Sequence, residues 1–113
     1  MTQDKDRTRM YHMRNHAREA IDLTKGKTRE DIGNDRTLEL ALTRLVEIVG
    51  EAAARVSRKT QDEHSEIAWP EIIGLRNRLI HGYDAVDLDI LWNIIKIDLP
   101  ELESSLNRIL EQE

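Results

Sequence analysis

The sequence predicts an all-α fold, an antiparallel bundle of four to five helices, and three observations predict it. Apolar residues recur at steps of three and four along four separate segments. No segment shows the period-two alternation of a half-buried strand. Prolines and glycines are few, two and five, and sit at informative places. At 113 residues, the whole chain from 1 to 113 reads as one domain.

The first segment, residues 4–25, carries Met10, Met13, Ala17, Ala20 and Thr24 on one stripe, and Gly26 follows where a helix end prefers it. Residues 26–34 have no clear period and read as a connection. The second helix has the clearest pattern: Leu38, Leu42, Leu45, Val49, Ala52 and Val56, flanked by Ala41, Val46, Ile48 and Ala53. A stripe that wide is buried on more than one side. Asn34 or Asp35 is its N-cap. Gly50 lies inside it at a cost of roughly 1 kcal/mol relative to alanine, which marks a place where another helix backbone comes close.

Residues 57–68 are polar and read as a loop. Trp69-Pro70 opens a third helix, since proline fits the first helical turn, and Ile72, Ile73, Leu75, Leu79 and Ile80 follow before Gly82 ends it. A fourth helix starts near Asp87 and runs through Ile90, Leu91, Ile94 and Ile95. Pro100 has no amide hydrogen, so it must kink that helix or begin another, whose stripe is Leu102, Leu106, Ile109 and Leu110.

Seventeen Lys and Arg against 22 Asp and Glu give a net charge of −5, which excludes a generally basic nucleic-acid wrapper but leaves room for a local basic site. Residues 1–30 hold eight positive and five negative groups; residues 84–113 hold two and eight. The acidic end is a solvated helix face, or a surface that repels an anionic ligand from all but its intended site. The basic start could face RNA, a partner or a second copy. With no cysteine, disulfide frameworks, zinc knuckles and thiol nucleophiles are excluded, which suits a reducing cytosol. No run approaches the ~18 apolar residues of a membrane span, and the N-terminus lacks the apolar stretch of a signal peptide. A soluble, cytoplasmic protein with no membrane partner is the expectation.

The densest cluster of reactive side chains is Arg76, Asn77, Arg78, His81 and Tyr83, at the end of the third helix. On a helical wheel Asn77 and His81 share a face, while Arg76 lies about 140° from His81. A long arginine can partly close that gap, and a second copy across a two-fold axis could also bring the groups together. A histidine can take or give a proton near neutrality. A guanidinium stays protonated and donates two hydrogen bonds to phosphate oxygens.

The stretch Arg76-x4-His81-x-Tyr83 resembles the signature of the HEPN superfamily, and most of all the HepT-like toxins of HEPN/MNT toxin–antitoxin pairs. The block from Leu45 to Ala53 resembles that family's second helix, and Trp69 to Pro100 its C-terminal half, although Trp69 here precedes Pro70 where the family often has the reverse order. The resemblance implies a homodimeric, metal-independent endoribonuclease with a composite site where two subunits' motifs meet, and it implies no cofactor. The stripes of the second helix, wider than a small bundle needs, agree with a dimer. Arg76 would stabilise the phosphate, His81 transfer the proton and Asn77 orient the phosphate or His81. Arg78 is a possible RNA contact, and more readily meets solvent or a carboxylate. Tyr83 would be the residue to which a cognate MNT-type nucleotidyltransferase antitoxin adds AMP, silencing the nuclease by bulk and negative charge.

Bland readings stand beside these. His81 before Gly82 also suits a favourable cation at a helix C-terminus, and Tyr83 a half-buried packing residue. A non-catalytic module of the superfamily, using Arg76 and His81 to hold a nucleotide or a partner, is the alternative function. His12 and His16 are one turn apart, but nothing in the spacing supplies further metal ligands. Trp69 and Trp92 are core or dimer anchors rather than base-stacking platforms.

Overall fold

The computed structural model of the chain describes residues 4–81 and 85–112, with His81 described by its backbone. The helix α1 (Asp4–Leu23) buries the predicted stripe Met10, Met13, Ala17 and Ala20, and Thr24 is buried just beyond its end. Gly26 then takes a φ of 74°, the left-handed conformation that terminates a helix most cheaply with glycine. The expected connection over 26–34 contains a short helix, α2 (Arg29–Gly33). Thr28 and Asp31 form a reciprocal capping box at its start, and a five-residue helix is too short to show a period.

Asp35 caps α3 (Arg36–Ala54), its carboxylate accepting from the Leu38 amide at 3.0 Å. The wide stripe is buried as expected through Leu38, Leu42, Leu45, Val46, Val49, Ala52 and Ala53. Ala41 is instead exposed, and neighbouring Leu40 is 53% exposed. The expected loop over 57–68 also contains a helix, α4 (Arg58–Glu63), capped by Ser57.

The third helix departs most from expectation. It is split at Gly74 into α5 (Trp69–Ile73) and α6 (Leu75–Leu79), and it stops three residues before Gly82. Ile80 is extended, and the two-residue strands β1 (Ile80–His81) and β2 (Ala85–Val86) pair antiparallel, Ile80 with Val86 and His81 with Ala85. Two residues are too few for alternation to register in the sequence.

Asp87 caps α7 (Leu88–Asn93), accepting from the amides of Asp89 and Ile90. A π-helical turn (Ile94–Asp98) leads without a break into α8 (Leu99–Gln112). Pro100 is the second residue of α8, so the new helix that the proline predicts begins one residue ahead of it. The Leu99 amide donates to the Ile94 carbonyl, five residues back. That one wide turn moves the chain ahead of Pro100 out of α register, where the proline ring would strike a carbonyl four residues back.

Side chains fix the helix directions. Arg9 on α1 donates to the Arg55 carbonyl at the C-terminal end of α3 (2.7 Å), so these two helices run antiparallel. Arg7 donates to the Leu110 carbonyl (3.0 Å) and Arg18 pairs with Glu103 (2.6 Å), so α8 is antiparallel to α1 as well. The core lies between these three helices, and Leu102, Leu106, Ile109 and Leu110 supply the face of α8. Two polar clasps close its ends. Lys96 donates to the Thr24 carbonyl (3.2 Å) and hydroxyl (3.0 Å), placing a cation at the C-terminus of α1. Asp6, 2% exposed, accepts from the Ser57 amide (3.0 Å) and from the Ser57 and Thr60 hydroxyls (2.6 Å each). Among the described residues, no helix is long and apolar enough to cross a membrane.

Candidate active site

The five residues of α6 carry the first part of the motif, Arg76, Asn77 and Arg78. Leu75 and Leu79 are fully buried and anchor the helix, which leaves Arg76, Asn77 and Arg78 exposed. The arginines diverge. Arg76 Nε lies 3.4 Å from Glu47 Oε2 on α3, whereas Arg78 Nη1 donates to Asp98 on the π turn at 2.9 Å. Asn77 lies between them. Arg78 thus meets a carboxylate of its own chain, the plainer of its two expected roles.

His81 is not on the helix. The chain leaves α6 after Leu79, so the wheel angle of about 140° to Arg76 and the face shared with Asn77 do not apply. The His81 backbone stands in β1 opposite Ala85, two residues beyond the end of α6. The Asp87 amide donates to the Leu79 carbonyl (2.9 Å), fastening the strand pair to the end of the motif helix. Gly82, Tyr83 and Asp84 lie outside the described residues, and the expectation for Tyr83 falls there.

Sequence reasoning passed over Glu47 as a site residue. It pairs with Arg76 and is also 3.7 Å from Arg44, which pairs in turn with Glu51 at 2.9 Å. The i, i+3 and i, i+4 spacing of Arg44, Glu47 and Glu51 was legible as one face of α3, but the contact with Arg76 is tertiary. Arg76 is 67% exposed, so this pair adds little stability and leaves the terminal guanidinium nitrogens able to meet an anion.

Much of the basic N-terminal segment has partners within the chain. Arg7 and Arg9 cap other helices, Arg18 holds Glu103, and Arg29 holds Asp89 at 2.6 Å. Acids of the C-terminal part therefore serve as partners as well as a solvated face. His16 Nδ1 lies 2.7 Å from the His12 carbonyl, and the two rings meet edge to face. Among the described residues, no three His, Asp or Glu side chains cluster as ligands of a metal ion would. Trp69 is buried, its indole N–H donating to the His64 carbonyl (3.0 Å), while the half-buried Trp92 lies beneath Lys96.

The exposed Arg76 and Asn77 on α6 and His81 just past its end are residues that carry the resemblance to HEPN domains. The chain belongs to the HepT-like ribonuclease family, whose model matches residues 13–109. It is 39% identical over 93 residues to a candidate RNase of Caldanaerobacter subterraneus subsp. tengcongensis, covering 82% of this chain and 83% of that one. It is 36% identical over 95 residues to a protein of Thermococcus cleftensis named probable ribonuclease HepT, covering 80% and 86%. A candidate RNase of Methanocaldococcus jannaschii is 31% identical over 97 residues, covering 86% and 89%. No solved structure matches the chain.

Proposed function

We propose that the chain is a metal-independent endoribonuclease, the toxin of a toxin–antitoxin pair, working as a homodimer in the cytoplasm. The observation that carries this reading is Arg76: a permanently charged, exposed guanidinium on the motif helix of a chain whose relatives are named as ribonucleases. In the proposed reaction His81 removes the proton from the 2′-hydroxyl of RNA, and the freed oxygen attacks the adjacent phosphorus. The bond from phosphorus to the 5′-oxygen breaks, that oxygen takes up a proton, and a cyclic phosphate remains. Arg76 offsets the charge that builds on the phosphate oxygens, and Asn77 orients the phosphate. Glu47 holds Arg76 from the α3 side. Two motifs meeting across a two-fold axis would supply a composite site.

Tyr83, two residues along the chain from His81, is the proposed acceptor of AMP from a cognate MNT-type nucleotidyltransferase antitoxin. Negative phosphates beside an Arg/His site would fill it and repel RNA.

Incubation of total cellular RNA with the purified chain in EDTA tests the nuclease, with His81→Ala and Arg76→Ala in parallel. Cutting by the wild type and loss in both variants, with helical circular dichroism intact, is the expected result. Cutting that survives both substitutions refutes the assignment. A wild type that is inert, with an unmodified mass, points instead to the non-catalytic binding module.

A further inference from the structure

We propose that the groove between α1 and α3 is a second phosphate-binding surface, which takes the sugar–phosphate backbone of the same single-stranded RNA whose scissile phosphate Arg76 holds. The inference rests on the ribonuclease reading and extends its substrate contacts away from the motif. The groove encloses about 570 Å³ and is lined by Lys5, Arg9 and His12 from α1 and by Arg44, Arg55 and Glu51 from α3 and its cap. Four Lys or Arg against one carboxylate is a local concentration that a chain of net charge −5 does not produce by composition.

The state of each charge sharpens the point. Arg7, Arg18 and Arg29 are engaged inside the chain, as described above. Arg9 is held by the Arg55 carbonyl and lies 3.9 Å from the buried Asp6 carboxylate. Glu51, the groove's carboxylate, is already neutralised by Arg44 at 2.9 Å. Lys5 and Arg55 are exposed and make no ion pair among the described residues, so the surplus charge of the groove is theirs.

The groove is also linked to the motif helix through side chains. Arg76 meets Glu47, Glu47 meets Arg44, and Arg44 stands on the groove wall, so two ion pairs connect the motif helix to the groove. From Arg44 to Arg55 the α3 wall extends ~16 Å at the rise of an α-helix. Among the described residues, no aromatic ring but the His12 imidazole lines it, and its apolar part is Ile48 and Ala52. Such a surface follows a backbone by charge and lacks stacking platforms for bases, so it adds affinity without sequence preference.

The test uses the full-length chain and the double variant Lys5→Ala/Arg55→Ala, both positions being exposed and outside the motif. Binding of a 2′-O-methylated RNA oligonucleotide, which lacks the attacking hydroxyl, is followed by fluorescence anisotropy from low to high salt. Loss of two phosphate contacts should lower the slope of log affinity against log salt by about 1.4, and affinity at low salt should fall about tenfold. With cleavable RNA, KM should rise correspondingly while kcat stays put, and Lys5→Arg/Arg55→Lys should restore both. An unchanged slope and KM in the alanine variant overturn the groove and leave the nuclease standing, as they would if an acidic protein surface were the occupant. A wild type that neither binds nor cuts RNA overturns the nuclease reading, and the groove falls with it.

Discussion

Gly50 and Ile72 approach so closely that a Cβ at position 50 would stand 3.1 Å from the Ile72 carbonyl oxygen and 3.5 Å from that of Ile73. The last carbonyls of α5 thus lie directly on the α3 backbone. This is the close approach that a glycine inside an apolar helix implied. It also fixes the level at which α6 starts, and so where Arg76 leaves the surface.

Replacing Gly50 with alanine sets two effects against each other. Helix propensity favours alanine by roughly 1 kcal/mol. The obstacle is backbone carbonyl rather than a side-chain end, and overpacking of that kind costs about 1–3 kcal/mol. Gly50→Ala should therefore lose about 1 kcal/mol in urea unfolding, with Gly50→Val losing more. Cleavage should fall in both variants even where they remain folded, because α5 carries α6 with it. A stabilised Gly50→Ala would show that α5 can shift without cost.

Arg76 separates stability from activity. With the side chain 67% exposed and the Glu47 contact at 3.4 Å, Arg76→Ala should change unfolding free energy by less than ~0.5 kcal/mol. Its loss from a transition state should lower cleavage by about 10²–10³-fold. Glu47→Gln, which keeps shape and removes the charge, should give a smaller loss, since it acts by orienting Arg76. Equal losses of stability and rate in Arg76→Ala would assign the arginine a structural role.

Tyr83 should gain the mass of one or more AMP units after incubation with a cognate nucleotidyltransferase and ATP. Tyr83→Phe should remain unmodified and keep its nuclease activity in the presence of that partner. Peptide mapping by mass spectrometry checks the position; a modified residue other than Tyr83 would exclude it as the acceptor.

The long helices were legible because each buries a stripe that repeats over several turns, as Met10 to Ala20 and Leu38 to Ala53 do. Their caps were legible too, Asp35 and Asp87 being acids placed just ahead of such stripes. The short helices α2 and α4 were not, since each contains a single buried side chain. The end of the motif helix at Leu79 was hidden because Ile80 fits an apolar helical position as well as a strand, and pairing with Val86 decides between them. The motif residues were visible as a cluster. Glu47 was not visible as part of it, because its contact with Arg76 spans two helices far apart in sequence.

Asp6 was hidden for the same reason, with partners some fifty residues away: an acid in the first turn of a helix looks like a favourable charge at an exposed end, and here it is buried. Burial pushes its carboxyl up, but hydrogen bonds from the Ser57 hydroxyl, the Thr60 hydroxyl and the Ser57 amide, together with Arg9, more than offset this and hold it below its ordinary value of 3.8. The unfolded chain therefore binds the proton more readily than the folded one. This contribution to stability is present above pH 3.8 and is lost as pH falls through the lower value of the folded state. Asp6→Asn removes the charge and turns an amide N–H₂ towards at least one of these donors. It should destabilise the fold at neutral pH by about 2 kcal/mol and flatten the acid limb of stability against pH. Thermal unfolding of the two proteins from pH 2 to 7 measures both effects. An Asp6→Asn variant as stable as the wild type at pH 7, with the acid limb unchanged, would mean that the clasp between α1 and α4 contributes nothing to the fold.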